Sequence, residues 1–118
     1  MRKISKKGLK AKLDKECSRI IRSRGQCQFC GNSDYKLLQC CHIFSRSNLA
    51  TRWMPNNLLC LCAGCHFWAH KNPTLFSERV MQILGEYNYE ITRKAASSSV
   101  KWLPEDLHIL LEKLKDVK

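Results

Sequence analysis

The chain has 118 residues, room for one domain and hardly for two, and a core of that size is marginal without a metal or a cross-link. It carries 21 Lys and Arg against 10 Asp and Glu, a formal net charge of +11, and eight cysteines. No run approaches about eighteen apolar residues, and no apolar stretch follows the charged start MRKISKKGLKAK, so neither a membrane span nor a secretory signal is expected. The expected compartment is the cytoplasm, where clustered cysteines hold metal more often than they form disulfides.

The charge is concentrated. Residues 1–24 hold ten basic side chains and two acids, Asp14 and Glu16. Such an excess attracts a polyanion, with nucleic acid first among candidates. A solvated helix face is the plainer explanation. An anionic membrane surface fits less well, since no large apolar face accompanies the charge.

In chain order, Leu9, Leu13, Cys17 and Ile20 recur at helical spacing and predict a helix over 8–24, with Gly25 as its stop. Cys27-Gln28-Phe29-Cys30-Gly31 is a short knuckle. Residues 35–43 predict a strand and 58–61 a second one, joined by a polar loop with Arg46, Asn48 and Arg52. A helix is expected over 63–70. Asn72-Pro73 ends it and opens the next, which runs to about Leu84 with Phe76, Val80, Ile83 and Leu84 inward. Gly85 interrupts, residues 86–96 are again helical, and Ser97-Ser98-Ser99 is a linker. Pro104 leads into a last helix with Leu107, Leu110, Leu111 and Leu114 on one face.

Two cysteine pairs stand out. Cys27-x-x-Cys30 and Cys62-x-x-Cys65 are separated by 31 residues. A two-residue gap lets both sulfurs of one turn reach the same ion, and two such turns complete a tetrahedron. Structural Zn2+ is the expected occupant, and its binding free energy would be folding free energy. Core cysteines or an iron–sulfur cluster are the alternatives. Cys17, Cys40 and Cys60 read as core.

His66 and His70 stand four apart on the predicted helix and share a face, so they can grip one ion together. Cys65 points about 100° from His66 and about 140° from His70, so one helix can serve two metals on different sides. His108, in the last helix, has no evident chemistry.

Cys41-His42-Ile43, Asn57-Leu58, Leu61-Cys62-x-x-Cys65-His66 and His70 together resemble the HNH nuclease motif. The steps from His42 to Asn57, to His66 and to His70 are 15, 9 and 4 residues. The resemblance implies a small zinc-stapled ββα-metal, treble-clef-like HNH core over 27–72; charge and periodicity add a basic helical arm over 1–26 and C-terminal helices over 73–118, for an α+β fold in one domain. It implies a metal-dependent DNA endonuclease with His42 as general base, Asn57 bracing the loop that aims it, and His66 and His70 as ligands of a catalytic divalent metal (Mg2+, Mn2+, Ni2+ or Zn2+). The family often has an aspartate or histidine ligand where Cys41 stands. A thiolate there can ligate a transition ion but suits magnesium poorly.

Leu38-Gln39-x-x-His42, Ser45-Arg46 and Ala50-Thr51-Arg52-Trp53 further resemble the phage NinG/Rap nucleases. That narrower likeness implies branched or recombination DNA of a phage as substrate; a structural partner among phage recombination, packaging or replication proteins is a further alternative. Arg46 and Arg52 are the expected phosphate contacts. A non-catalytic zinc module that binds nucleic acid explains the cysteines and the charge equally well, but not the histidine spacing. A transcription factor fits poorly, because no helix-turn-helix is evident.

Overall fold

The structure is a computed structural model and describes residues 4–117. Met1, Arg2 and Lys3 of the expected basic arm lie outside the described residues. Helix α1 (Lys6–Arg22) opens at Ser5, whose Oγ accepts from the Gly8 N–H at 3.0 Å. It starts earlier and stops earlier than the periodicity predicts. Its buried stripe is Leu9, Leu13, Cys17 and Ile21, while Ile20, assigned to that stripe by the spacing, is only half-buried. Every member of the stripe is four residues from the next, which walks slowly around the helix and brings Ile21 under the core.

The predicted first strand is shortened. Residues Tyr35–Leu37 form a 3-10 turn because the Asp34 carboxylate accepts the Lys36 N–H, and strand β1 (Leu38–His42) begins only after it. It pairs antiparallel with β2 (Leu58–Cys62), Leu38 opposite Cys62 and His42 opposite Leu58. All five residues of β2 are buried because α1 and helix α2 (Ala63–Lys71) both pack on this hairpin. The cysteine knuckle pairs with β2: the Gln28 N–H donates to the Cys60 carbonyl and the Cys60 N–H donates to Gln28 Oε1, both at 2.8 Å. The two-stranded sheet followed at once by α2 is the expected ββα order.

Helix α3 (Pro73–Leu84) buries Phe76 and Val80, but Ile83 is 40% exposed rather than inward. The chain turns at Gly85, whose φ of +84° suits glycine, and α4 (Glu86–Ala96) packs back along α3. Helix α5 (Pro104–Lys115) crosses the molecule to α1. Leu107, Leu111 and Leu114 join Leu9, Leu13 and Ile21 in one core, and Arg19 donates to the Leu114 and Val117 carbonyls at 3.1 and 2.8 Å. Truncating a leucine there to alanine would cost about 2–5 kcal/mol. The linker into α5 is anchored too: Trp102 donates to the Leu49 carbonyl at 3.1 Å and stands edge-on to Trp53.

Candidate metal centre and histidine cleft

Cys27 and Cys30 come from the knuckle, Cys62 from the end of β2 and Cys65 from the first turn of α2. Their four sulfurs lie within 4.8 Å of one another, with Cys30 and Cys62 at 3.7 Å. A tetrahedron with metal–sulfur bonds of about 2.3 Å has edges of roughly 3.8 Å. The donor set therefore fits one tetrahedral ion such as zinc. Each pair also makes the turn such a site needs. The Cys30 N–H donates to Cys27 Sγ and the Cys65 N–H to Cys62 Sγ, both at 3.5 Å. Burial opposes ionisation of Cys27, but the N–H groups of Cys30, Cys62 and Phe29 outweigh it and lower the thiol to about 6. Burial and the neighbouring sulfurs push Cys65 the other way, far up. One thiolate is easily formed here and further ones need a cation among them.

On another side of α2, His66 and His70 stack with ring centroids 4.9 Å apart. The His66 Nδ1–H donates to Gln39 Oε1 at 2.7 Å, which leaves Nε2 as its free donor atom. Burial, then the charges of His70 and His42, keeps the His66 pKa low, so the ring is neutral near pH 7. Both histidines line a cleft of about 560 Å³ together with Cys41, His42, Arg46 and Phe76. Two imidazoles suit a divalent transition ion and leave positions open for water and substrate. Cys41 lines the cleft but is buried, with its Sγ 3.7 Å from the His42 carbonyl. Among the described residues, the four cysteines are the only group of three or more candidate ligands so close together, and Cys41 does not gather with the two histidines in that way.

His42 ends β1 and lines both this cleft and a second one, of about 350 Å³, against α1. Its Nε2 stands 3.1 Å from the Arg52 carbonyl. A carbonyl only accepts, so Nε2 carries the hydrogen and Nδ1 is the ring's acceptor. Burial lowers the His42 pKa against the Arg52 carbonyl and Asp14, which raise it, so the base form prevails near neutrality.

Asn57 is fully buried and ties the loop between the strands at Phe44 and at Thr51. Its Nδ2 donates to the Phe44 and Thr51 carbonyls at 3.1 and 3.0 Å, and its Oδ1 accepts the Phe44 N–H at 2.8 Å. The two arginines of this loop meet an acid. Arg52, 13% exposed, places Nε and Nη2 on the two oxygens of Asp14, and Arg46, 64% exposed, adds a bond of 3.1 Å. Trp53 Nε1 donates to the same carboxylate at 2.9 Å. Burial alone would raise the Asp14 carboxyl, but these donors and charges hold it below its ordinary value.

Sequence reasoning did not single out Gln39, Gln28 or Asp14 for a role. Gln39 enters only as part of the Leu38-Gln39-x-x-His42 likeness, which assigns it no role. Asp14 had one usable signal, an acid in an otherwise basic helix.

No curated protein and no solved structure matches the chain. Residues 27–71 match the family model described as HNH endonuclease. The stretch that carries the four sulfurs, His42, Asn57 and the paired histidines is thus the part of this chain that is HNH-like, and the nuclease chemistry of that family is what it points to.

Proposed function

We propose that the protein is a metal-dependent DNA endonuclease of the HNH type, with His42 as general base. The observation that carries this reading is the 3.1 Å contact of His42 Nε2 with the Arg52 carbonyl, which requires Nε2 to donate and leaves Nδ1 as the acceptor of a residue that lines the same cleft as His66 and His70. Nδ1 has no partner among the described side chains and is not a buried unpaired atom, so water reaches it.

Four sulfurs would hold the structural zinc. His66 and His70 would hold the catalytic ion through the nitrogens left free for it, and the buried Cys41 would stay a core thiol. Such an ion supplies Lewis-acid stabilisation of a phosphate oxygen and of the departing 3′ oxygen. Mg2+, Mn2+, Ni2+ and Zn2+ are all to be tried, and imidazole donors favour the transition ions. His42 takes a proton from the water that attacks phosphorus, a contribution worth about 10²–10⁴ in rate. The leaving bond is the one to the 3′ oxygen, which gives 5′-phosphate and 3′-hydroxyl ends. Asn57 keeps the loop behind His42 from swinging.

DNA would lie across the α1 side. Lys6 and Lys7 occupy the first turn of α1 with no acid beside them, against the helix dipole, and a phosphate backbone relieves that repulsion. Arg46 is exposed enough to turn to a phosphate. Arg52, committed to Asp14, would act within the protein first.

The test is cleavage of supercoiled, linear, single-stranded and branched DNA by zinc-loaded protein with each of the four ions in turn. The reading expects nicking that depends on the added ion. DNA binding without cleavage under every ion would leave a zinc-bound nucleic-acid module instead. The branched substrates also decide the narrower reading, a phage recombination nuclease, which rests only on the likeness of residues 38–53 to NinG/Rap.

A further inference from the structure

We propose that Asp14 is a positioning residue for His42, acting through the peptide of Arg52, which lies 38 positions from Asp14 in sequence. For its catalytic consequence this rests on the nuclease reading above; the geometric part stands by itself. The segment from Thr51 to Trp53 is held by three handles. Asn57 Nδ2 takes the Thr51 carbonyl, Asp14 takes the guanidinium of Arg52 by both oxygens, and Asp14 Oδ1 also takes the indole N–H of Trp53. In the same segment the Arg52 carbonyl accepts from His42 Nε2 at 3.1 Å. Side chains 52 and 53 are both bonded to Asp14 of α1, so turning that carbonyl would strain these bonds.

The charge pattern supports a local task. Of the two acids in the basic N-terminal stretch, Glu16 pairs with Arg19 within its own helix. Asp14 instead sits beside the second cleft, which His42 and Arg46 also line. An acid on the face expected to meet phosphates weakens DNA binding, so its benefit must lie elsewhere. It also lies outside the stretch that matches the HNH endonuclease model, on a helix that the match does not reach. The base of the HNH-like segment would then be aimed by an element outside that segment.

Asp14→Asn in the full, zinc-loaded chain tests this. A ring misplaced by about 1 Å can cost roughly 100-fold, so kcat on plasmid DNA should fall roughly 10–100-fold. The Kd for a DNA duplex, measured with calcium in place of the catalytic ion, should be equal or tighter, because a negative charge has gone. In a ¹H–¹⁵N spectrum of the imidazoles, the wild-type His42 should show a protected Nε2–H, and the variant a mixed tautomer or fast exchange. Asp14→Glu, which keeps the charge, should recover part of kcat. If Asp14→Asn lowers thermal stability too far, Arg52→Lys makes the same test, since it keeps the peptide and the charge and removes the fork. A folded variant with either kcat or the Nε2–H signal unchanged overturns the proposal. If the wild type cleaves no DNA, the nuclease reading fails by itself, and the spectrum alone then decides whether Asp14 sets the ring.

Discussion

The four-sulfur centre and the histidine cleft share helix α2, with Cys65 and His66 adjacent in sequence, yet they are built on opposite plans. The sulfurs close a tetrahedron from two local turns, each supported by its own N–H···S bond, and nothing remains open to substrate. The cleft offers two imidazoles on one helix, a third at the end of β1, and space for a ligand. A donor set closed by the protein stores folding energy, whereas one left incomplete can exchange ligands and do chemistry. Within each half of the closed site the contacts are three residues apart, and the bonds of Gln28 to Cys60 join the halves. The open one depends on a loop and on α1, held from a distance.

The largest break in that contrast is expected at the sulfurs. Cys27→Ser or Cys62→Ser removes a ligand from a site whose apparent binding free energy is on the order of 10–16 kcal/mol, as large as the whole stability of a typical domain. Circular dichroism should show an unfolded chain, and elemental analysis a loss of zinc. A folded, metal-free variant with unchanged Tm would remove the structural role.

Next comes His42→Ala, which should leave zinc content, Tm and DNA affinity close to wild type and lower cleavage by about 10²–10⁴. Full plasmid nicking by this variant would end the assignment of the base. Asn57→Ala tests the support rather than the chemistry. It leaves buried loop groups without partners, at about 1–3 kcal/mol each. A fall in Tm of about 10 °C is expected, together with weaker cleavage and unchanged zinc content. A loss of zinc as the first effect would show that the two regions are not separable.

The smallest effect should come from Arg46→Ala. Its bond to Asp14 is exposed and worth less than about 1 kcal/mol, so stability should hardly change. DNA affinity should drop uniformly across sequences, and the slope of log K against log salt should shrink by about one. An unchanged salt slope would take Arg46 out of the DNA contact.

Much of this was legible beforehand because it is local. The two Cys-x-x-Cys turns, the four-residue step from His66 to His70, and the helices around Leu9 and Leu107 all follow from spacing within one turn or one helix. The same reasoning misplaced Ile20 and Ile83, because periodicity gives a face only to within a residue or so, and packing partners choose the rest. Charge alone marks Arg46 and Arg52 as phosphate contacts, and their spacing does not show that both pair with Asp14. Gln39 could not be paired with His66 without knowing that β1 runs beside α2.

The order of residues alone thus determined which side chains can bind metal and which helical faces turn inward, since both depend on backbone geometry over a few residues. Tertiary structure decided that α5 closes on α1, that the Arg52 carbonyl meets His42, and that an acid of the first helix holds the loop between the strands. Those are meetings of groups ten to about a hundred residues apart, and their distances are set by the path of the whole chain around one small core.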